Sequence, residues 1–300
     1  MSLKQYKIYK DQIPRDLIDS LLAAHNKFKI NPLSSFRAQG TPVFEKPMLN
    51  KYGHQINSIH NPHLLTWSKL GSKVKPIIFH KNISKCLSDF FETNEDFIHY
   101  TSMLFDKSTA TTLHQDSWFL DTDPRGHLAG VWIALEDIKP EAGPFCLYTN
   151  TDNKYVSFSD YNFLDIENDQ NFRRDYPTAI LKKFLARKGD ILIWNSLLFH
   201  GALMPTQPEL TRKSLTSHYY KTSSKVLDQP VKRFLSIYDH NKPFTTQNSK
   251  IKSATTINPH LFSLACLAMR VGGDKFSNLM TSDYKHDKKI SKIRNIDTDN

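Results

Sequence analysis

Two positions apart in the stretch TTLHQDSWF stand an imidazole, His114, and a carboxylate, Asp116. On extended backbone, residues i and i+2 face the same side, so the two could close on one cation. Alone, the pair reads equally well as a surface turn, since a chain with 13 histidines meets that spacing by chance. A second signal comes later. In RKGDILIWNSLLFHGA, His200 lies just beyond an apolar run that follows a Gly-Asp turn, and Arg212 and Ser214 come shortly after it. Two histidines and one carboxylate are the donor set of a facial triad, which leaves three positions open on non-haem Fe(II). An Arg and a Ser on one side of the next strand suit a distal carboxylate, through a charge-assisted fork and a hydroxyl. Each of these residues also has a plain structural reading, as a satisfied strand end or a solvated loop.

The elements that must position these groups are legible in outline. Leu17, Ile18, Leu21 and Leu22 repeat at helical spacing behind Pro14, which suits a helix entry. Residues 29–80 are rich in Pro, Asn, Ser and His and read as loops and short strands. A helix is expected over about 82–92, capped by Asn82 or Ser84, with Ile83, Leu87, Phe90 and Phe91 on its apolar face. From Phe97 the pattern turns strand-like: FIHYTSMLF, LAGVWIAL, PFCLYT, the two arms of FLARKGDILIWN around its Gly-Asp turn, and SLTSHYYK. A polar and aromatic insertion at 150–180 is a candidate lid. A helix over about 259–270, stopped by Gly272-Gly273, and a frayed basic tail at about 285–300 complete the expectation. Helices first and then many strands predict a mainly β fold, a sandwich or barrel with flanking helices. No glycine-rich phosphate loop is present, which argues against dinucleotide or P-loop chemistry.

Composition narrows the class further. Aromatics at 12% exclude a disordered chain, and no apolar run approaches the roughly 18 residues of a membrane span. Cys86, Cys146 and Cys266 form no CxxC pair, so a cysteine zinc site and a disulfide framework are set aside and a reducing, cytoplasmic compartment is expected. The net charge of +10 is scattered over both ends of the chain rather than gathered in a stripe with aromatics. No nucleic-acid or membrane partner is therefore expected, and an anionic small molecule is compatible with the charge. Oligomeric state is not readable.

Residues 97–221 resemble the phytanoyl-CoA dioxygenase family of Fe(II)/2-oxoglutarate-dependent oxygenases, through MLFDKS, LHQD, VWIALEDIKPEAGP, KGDILIWNSLLFHG and the TRKS strand, in family order. The resemblance implies a double-stranded β-helix, or jelly roll, with 1–300 as a single oxygenase domain around that core. It implies His114, Asp116 and His200 as iron ligands, and Arg212 with Ser214 as the clamp on the far carboxylate of 2-oxoglutarate. Gln115, Trp132 and Met103 match further co-substrate contacts. The implied reaction consumes O2 and 2-oxoglutarate, releases succinate and CO2, and hydroxylates an unactivated C–H bond of a small molecule. A carboxylate at Asp116 favours hydroxylation over halogenation. The chain departs from the family where AGPFCLYTNTDN replaces a Pro-Gly-Ser-His element and where Ala202 replaces a serine, so no substrate carries over.

Trp118, Phe119 and Ser196 are the nearest candidates for lining a substrate pocket, with Arg125, His127, Asn57 and His60 as outer ones. Two other readings stay open: a metal-dependent jelly-roll isomerase or hydrolase that does not use 2-oxoglutarate, and a non-catalytic binding module.

Overall fold

The computed structural model describes residues 3–39, 44–157, 170–227, 244–245 and 251–253. The expected helix at 259–270, its Gly272-Gly273 stop and the basic tail lie outside these residues. Among the described residues, no helix is long and apolar enough to cross a membrane.

A ten-stranded sheet carries the fold. Its central path runs β1 (Tyr6–Tyr9), β10 (Ile191–Asn195), β7 (Leu128–Ala134), β12 (Ser214–Lys221) and β5 (Phe97–Phe105), each antiparallel to its neighbour. The short strands β4 (Ile59–His60), β2 (Phe36–Ala38) and β3 (Phe44–Glu45) extend it past β5, and β15 (Ile251–Ser253), itself paired with β14 (Phe244–Thr245), joins β5 in parallel. A smaller antiparallel sheet contains β11 (His200–Ala202), β8 (Phe145–Thr149) and β9 (Ile180–Lys183), and a ribbon pairs β6 (Thr122–Asp123) with β13 (Lys225–Val226).

Period-two alternation explains why the large sheet is covered on both faces. Val131 and Ile133 of β7, Ile191 and Ile193 of β10, and Leu215 of β12 pack with Leu21 and Phe28 of α1 (Arg15–Ile30), Val74 and Ile77 of α2 (Leu70–Ile78), and Ile83 and Leu87 of α3 (Lys81–Phe91). The intervening Trp132, Ala134, Leu192 and Trp194 pack with Phe145 and Leu147 of the small sheet. Strands buried on both sides read as continuous apolar runs. A bulge on β5 at Tyr100, which lies between the pairs His218↔Thr101 and Tyr219↔His99, resets the parity of that strand.

Most expected elements form. Pro14 precedes α1, and the strands at 97, 128, 145, 191 and 214 fall within one residue of their expected starts. Three corrections follow. Residues 70–78 form α2, hidden in sequence by Gly71 and Pro76; a Cβ on Gly71 would lie 2.7 Å from the His63 carbonyl oxygen, so the close approach requires glycine. The cap of α3 is neither Asn82 nor Ser84 but His80, whose Nδ1 accepts from the Asn82 N–H at 3.2 Å. Before the Gly-Asp turn the strand is Ile180–Lys183 rather than Phe184–Arg187. The turn itself is as expected: Gly189 has φ +93°, and Asp190 binds the Arg187 and Asp11 amides, tying the turn to β1. Within the 150–180 insertion, Gln170–Asp175 form the short helix α4, with Phe172 buried.

Candidate active site

His114 and His200 lie opposite each other on antiparallel backbone, exchanging both N–H···O bonds at 3.0 Å. Their rings stand 4.2 Å apart. His200 reaches this place because a turn after β10 swings the chain into the small sheet: the Leu197 N–H donates to Asn195 Oδ1 and the Leu198 N–H to the Asn195 carbonyl. Gln115 is extended (φ −104°, ψ 138°), so Asp116 returns to the side of His114 and then opens the 3-10 turn Asp116–Trp118.

The three side chains converge. One donor atom from each of His114, Asp116 and His200 lies within 4.8 Å of the others, the one such metal-ready group among the described residues. Asp116 Oδ1 is 3.5 Å from His200 Nε2 and 3.8 Å from His114 Nε2. Nδ1 of His114 donates to the Thr112 carbonyl and Nδ1 of His200 to the Leu198 carbonyl, both at 2.8 Å. Those bonds fix the tautomers and leave both Nε2 lone pairs facing Oδ1, the arrangement a metal-binding histidine requires. Burial, with His200 adding to it, lowers the His114 pKa to about 4 despite the opposing pull of Asp116, so the ring is neutral at pH 7. Burial pushes Asp116 upward, but His218 and His200 outweigh it and hold the carboxyl well below its usual range. Two imidazoles and a carboxylate are a donor set that fits a borderline divalent cation such as Fe(II).

Arg212 is 3% exposed, two residues before the start of β12. Its Nη1 donates to Ser214 Oγ at 3.2 Å, while its Nε is buried without a partner. The guanidinium lies 5.5 Å from the Phe105 ring centroid and 5.8 Å from that of Trp132. Trp132 Nε1 is likewise buried without a partner. Met103, Thr216 and Trp132 form one cross-strand row, and Phe105, Ser214 and Ala134 form the next. Two unsatisfied buried donors, one of them cationic, are costly unless an acceptor joins them, which fits a carboxylate ligand.

Several expected contacts fall elsewhere. The Gln115 amide is fully engaged, donating to the Lys154 and Leu197 carbonyls at 2.7 Å and accepting from the Val156 N–H and the Ser117 hydroxyl. It ties down the segment after β8. Trp118 donates to the Val156 carbonyl and packs on Phe199, and the Ser196 hydroxyl binds Asp121. Of the three pocket candidates, Phe119 is the one set against a triad ring, 6.0 Å from His114 and 44% exposed. Arg125 pairs with Asp121 at 2.7 Å and lies over Tyr155, and His127 sits against Phe91. Asn57 binds Glu45, and His60 binds Thr101.

Sequence reasoning missed two residues at the triad. Trp194 Nε1 donates to Asp116 Oδ2 at 2.9 Å, and His218 Nε2 lies 3.3 Å from the same oxygen. His218 shares the face of Ser214 by period two, so the alternation of β12 already pointed to it.

A ligand-ready His-Asp-His group, with Asp116 and His200 buried, between two mostly antiparallel sheets defines a jelly-roll protein with a candidate metal centre. The family model for phytanoyl-CoA dioxygenase (PhyH) matches residues 6–206, and the chain belongs to that family. A phytanoyl-CoA dioxygenase domain-containing protein 1 homolog of Caenorhabditis briggsae is 29% identical over 183 residues, 57% of this chain and 58% of that protein. The chain thus matches little more than half the length of that relative. Among solved structures, the non-heme alpha ketoglutarate dependent carbocyclase SnoK from nogalamycin biosynthesis aligns with TM-score 0.58 at 14% identity, covering 82% of this chain and 90% of that one. The epimerase SnoN, in complex with Fe3+, alpha ketoglutarate and nogalamycin RO, aligns with TM-score 0.57 at 12% identity, covering 86% and 93%. At these identities the likeness establishes the jelly-roll fold.

Proposed function

We propose that this protein is a non-haem Fe(II)/2-oxoglutarate-dependent dioxygenase that hydroxylates an unactivated C–H bond of a small molecule. The observation that carries the reading is the joint presence of a ligand-ready triad and a buried, under-partnered guanidinium. His114 Nε2, His200 Nε2 and Asp116 Oδ1 would hold the iron. Bound iron supplies O2 activation coupled to decarboxylation of 2-oxoglutarate to succinate and CO2.

The chain's own residues do the placement. Arg212 and Ser214 would fix the distal carboxylate of 2-oxoglutarate, and Trp132 Nε1 is a further donor close to that end. Phe105 and Trp132 cover the guanidinium and keep water from it. Met103 contributes thioether surface beside them. Phe119, half open to solvent, stands as the substrate-side wall next to His114. With Asp116 in the donor set, no ligand position is given over to a halide, which supports hydroxylation as the outcome.

The same reading takes residues 1–300 as one oxygenase domain. It places the protein in the cytoplasm, in keeping with three cysteines that form no CxxC pair. The test is succinate formation from 2-oxoglutarate, dependent on Fe(II) and O2. Wild type should form it and Asp116→Ala should not. Metal binding with neither 2-oxoglutarate binding nor turnover would move the protein to the isomerase or hydrolase reading.

A further inference from the structure

Asp116 Oδ2, the oxygen turned away from the two histidines, is held from two strands at once. Trp194 on β10 donates Nε1–H to it at 2.9 Å, and His218 on β12 approaches with Nε2 at 3.3 Å. An ionised carboxylate can only accept, so His218 carries its proton on Nε2. Its Nδ1 is then a buried atom with no partner, an unsatisfied cost borne for one bond to Asp116.

The arrangement depends on a blank position. Trp194, Gly130 and His218 form one row across β10, β7 and β12, with Gly130 paired to both. A side chain at Gly130 would overlap the indole of Trp194, so glycine lets the ring lie flat across the strand. The indole and the imidazole then meet nearly perpendicular, 84° apart with centroids at 6.2 Å, and aim their N–H groups at one oxygen.

We infer that Trp194 and His218 are positioning residues that hold Asp116 as a one-oxygen ligand. With Oδ2 bound by two donors, only Oδ1 faces the histidines. A carboxylate free to turn could offer both oxygens to a cation, filling a position the co-substrate or O2 needs, or could swing away from it. The inference rests on the iron-site reading and adds to it the part of the chain that shapes the donor set.

Anaerobic titration with Co(II) alone, with no turnover involved, tests it. His218→Leu and Trp194→Phe should each weaken Co(II) binding roughly 10- to 100-fold, the usual range for losing an outer-sphere hydrogen bond to a ligand. His218→Gln keeps an N–H near the Nε2 position and should recover most of the affinity, which packing alone would not predict. Thermal unfolding of each apo-variant confirms that it is folded, and Trp194→Phe together with His218→Gln covers the case in which the leucine variant does not fold. Wild-type affinity in both Trp194→Phe and His218→Leu, or a glutamine variant no better than the leucine one, overturns the inference while leaving the metal site standing. A wild-type protein that binds no Co(II) overturns the iron-site reading and this inference together.

Discussion

Replacing Arg212 with methionine should move two quantities in opposite directions. Burial pulls the guanidinium pKa down from its ordinary value to about 10, with Cys146 and Glu136 partly opposing the shift. That displacement corresponds to about 3 kcal/mol. The folded state lowers the pKa of a base, so the fold disfavours the cation at neutral pH, and the penalty is relieved only as pH rises above about 10. Methionine keeps much of the stem between Phe105 and Trp132 and removes the charge. The apo-protein should therefore gain up to about 3 kcal/mol, reduced by the lost Ser214 bond and by imperfect packing. In the complex with 2-oxoglutarate the same cation has its counter-ion, and deleting it should weaken binding by about 2–4 kcal/mol, roughly 30- to 1000-fold. Denaturant unfolding of the apo-proteins reads the first effect, and anaerobic titration of 2-oxoglutarate into the Fe(II)-loaded proteins reads the second. A variant that is destabilised like a core truncation yet binds 2-oxoglutarate as tightly as wild type would show that Arg212 is a structural cation, and the reasoning would be wrong.

Three other predictions concern the scaffold. Burial, with Lys75 and His60 adding to it, lowers the His63 pKa to about 3, so stability present above pH 6.5 should be lost as pH falls towards 3. His63 alone gives about 2 kcal/mol lost by pH 5, and unfolding curves that do not change between pH 7 and 5 would contradict this. Gly71→Ala should destabilise by about 1–3 kcal/mol, although alanine is normally the better helix former, because its Cβ meets the His63 and Leu65 carbonyl oxygens at 2.7 and 3.0 Å. A raised unfolding midpoint would refute that. Gln115→Ala should cost about 2–3 kcal/mol and speed hydrogen exchange at the Val156 amide, while 2-oxoglutarate affinity stays within a few-fold of wild type; a large loss of affinity would return Gln115 to the co-substrate site.

Much of the site was legible because it follows the period of two. His114 and Asp116 share a side of extended backbone, and Ser214 sits on the inward face of β12. The same rule should have turned Gln115 the other way, since the residue between two inward side chains points outward, and its amide does bind the backbone on that far side. Trp194 and His218 lie on inward positions of strands read correctly from sequence. What the sequence could not supply was that both strands bring them to one carboxylate, which depends on the order β10-β7-β12 and on the gap at Gly130. Helix α2 was hidden for a different reason. Gly71 and Pro76 break its propensity, and it is held by packing of Leu70, Val74, Ile77 and Ile78 in the core beneath the sheet.

The most direct measurement is optical and anaerobic: Fe(II) and then 2-oxoglutarate are added to the purified protein, and the weak visible metal-to-ligand charge-transfer absorption of the chelate is followed. A saturable band in the wild type that is absent in His200→Ala, and that needs far more 2-oxoglutarate in Arg212→Met, is the predicted result. Iron bound by the wild type with no such band at saturating 2-oxoglutarate would contradict the account.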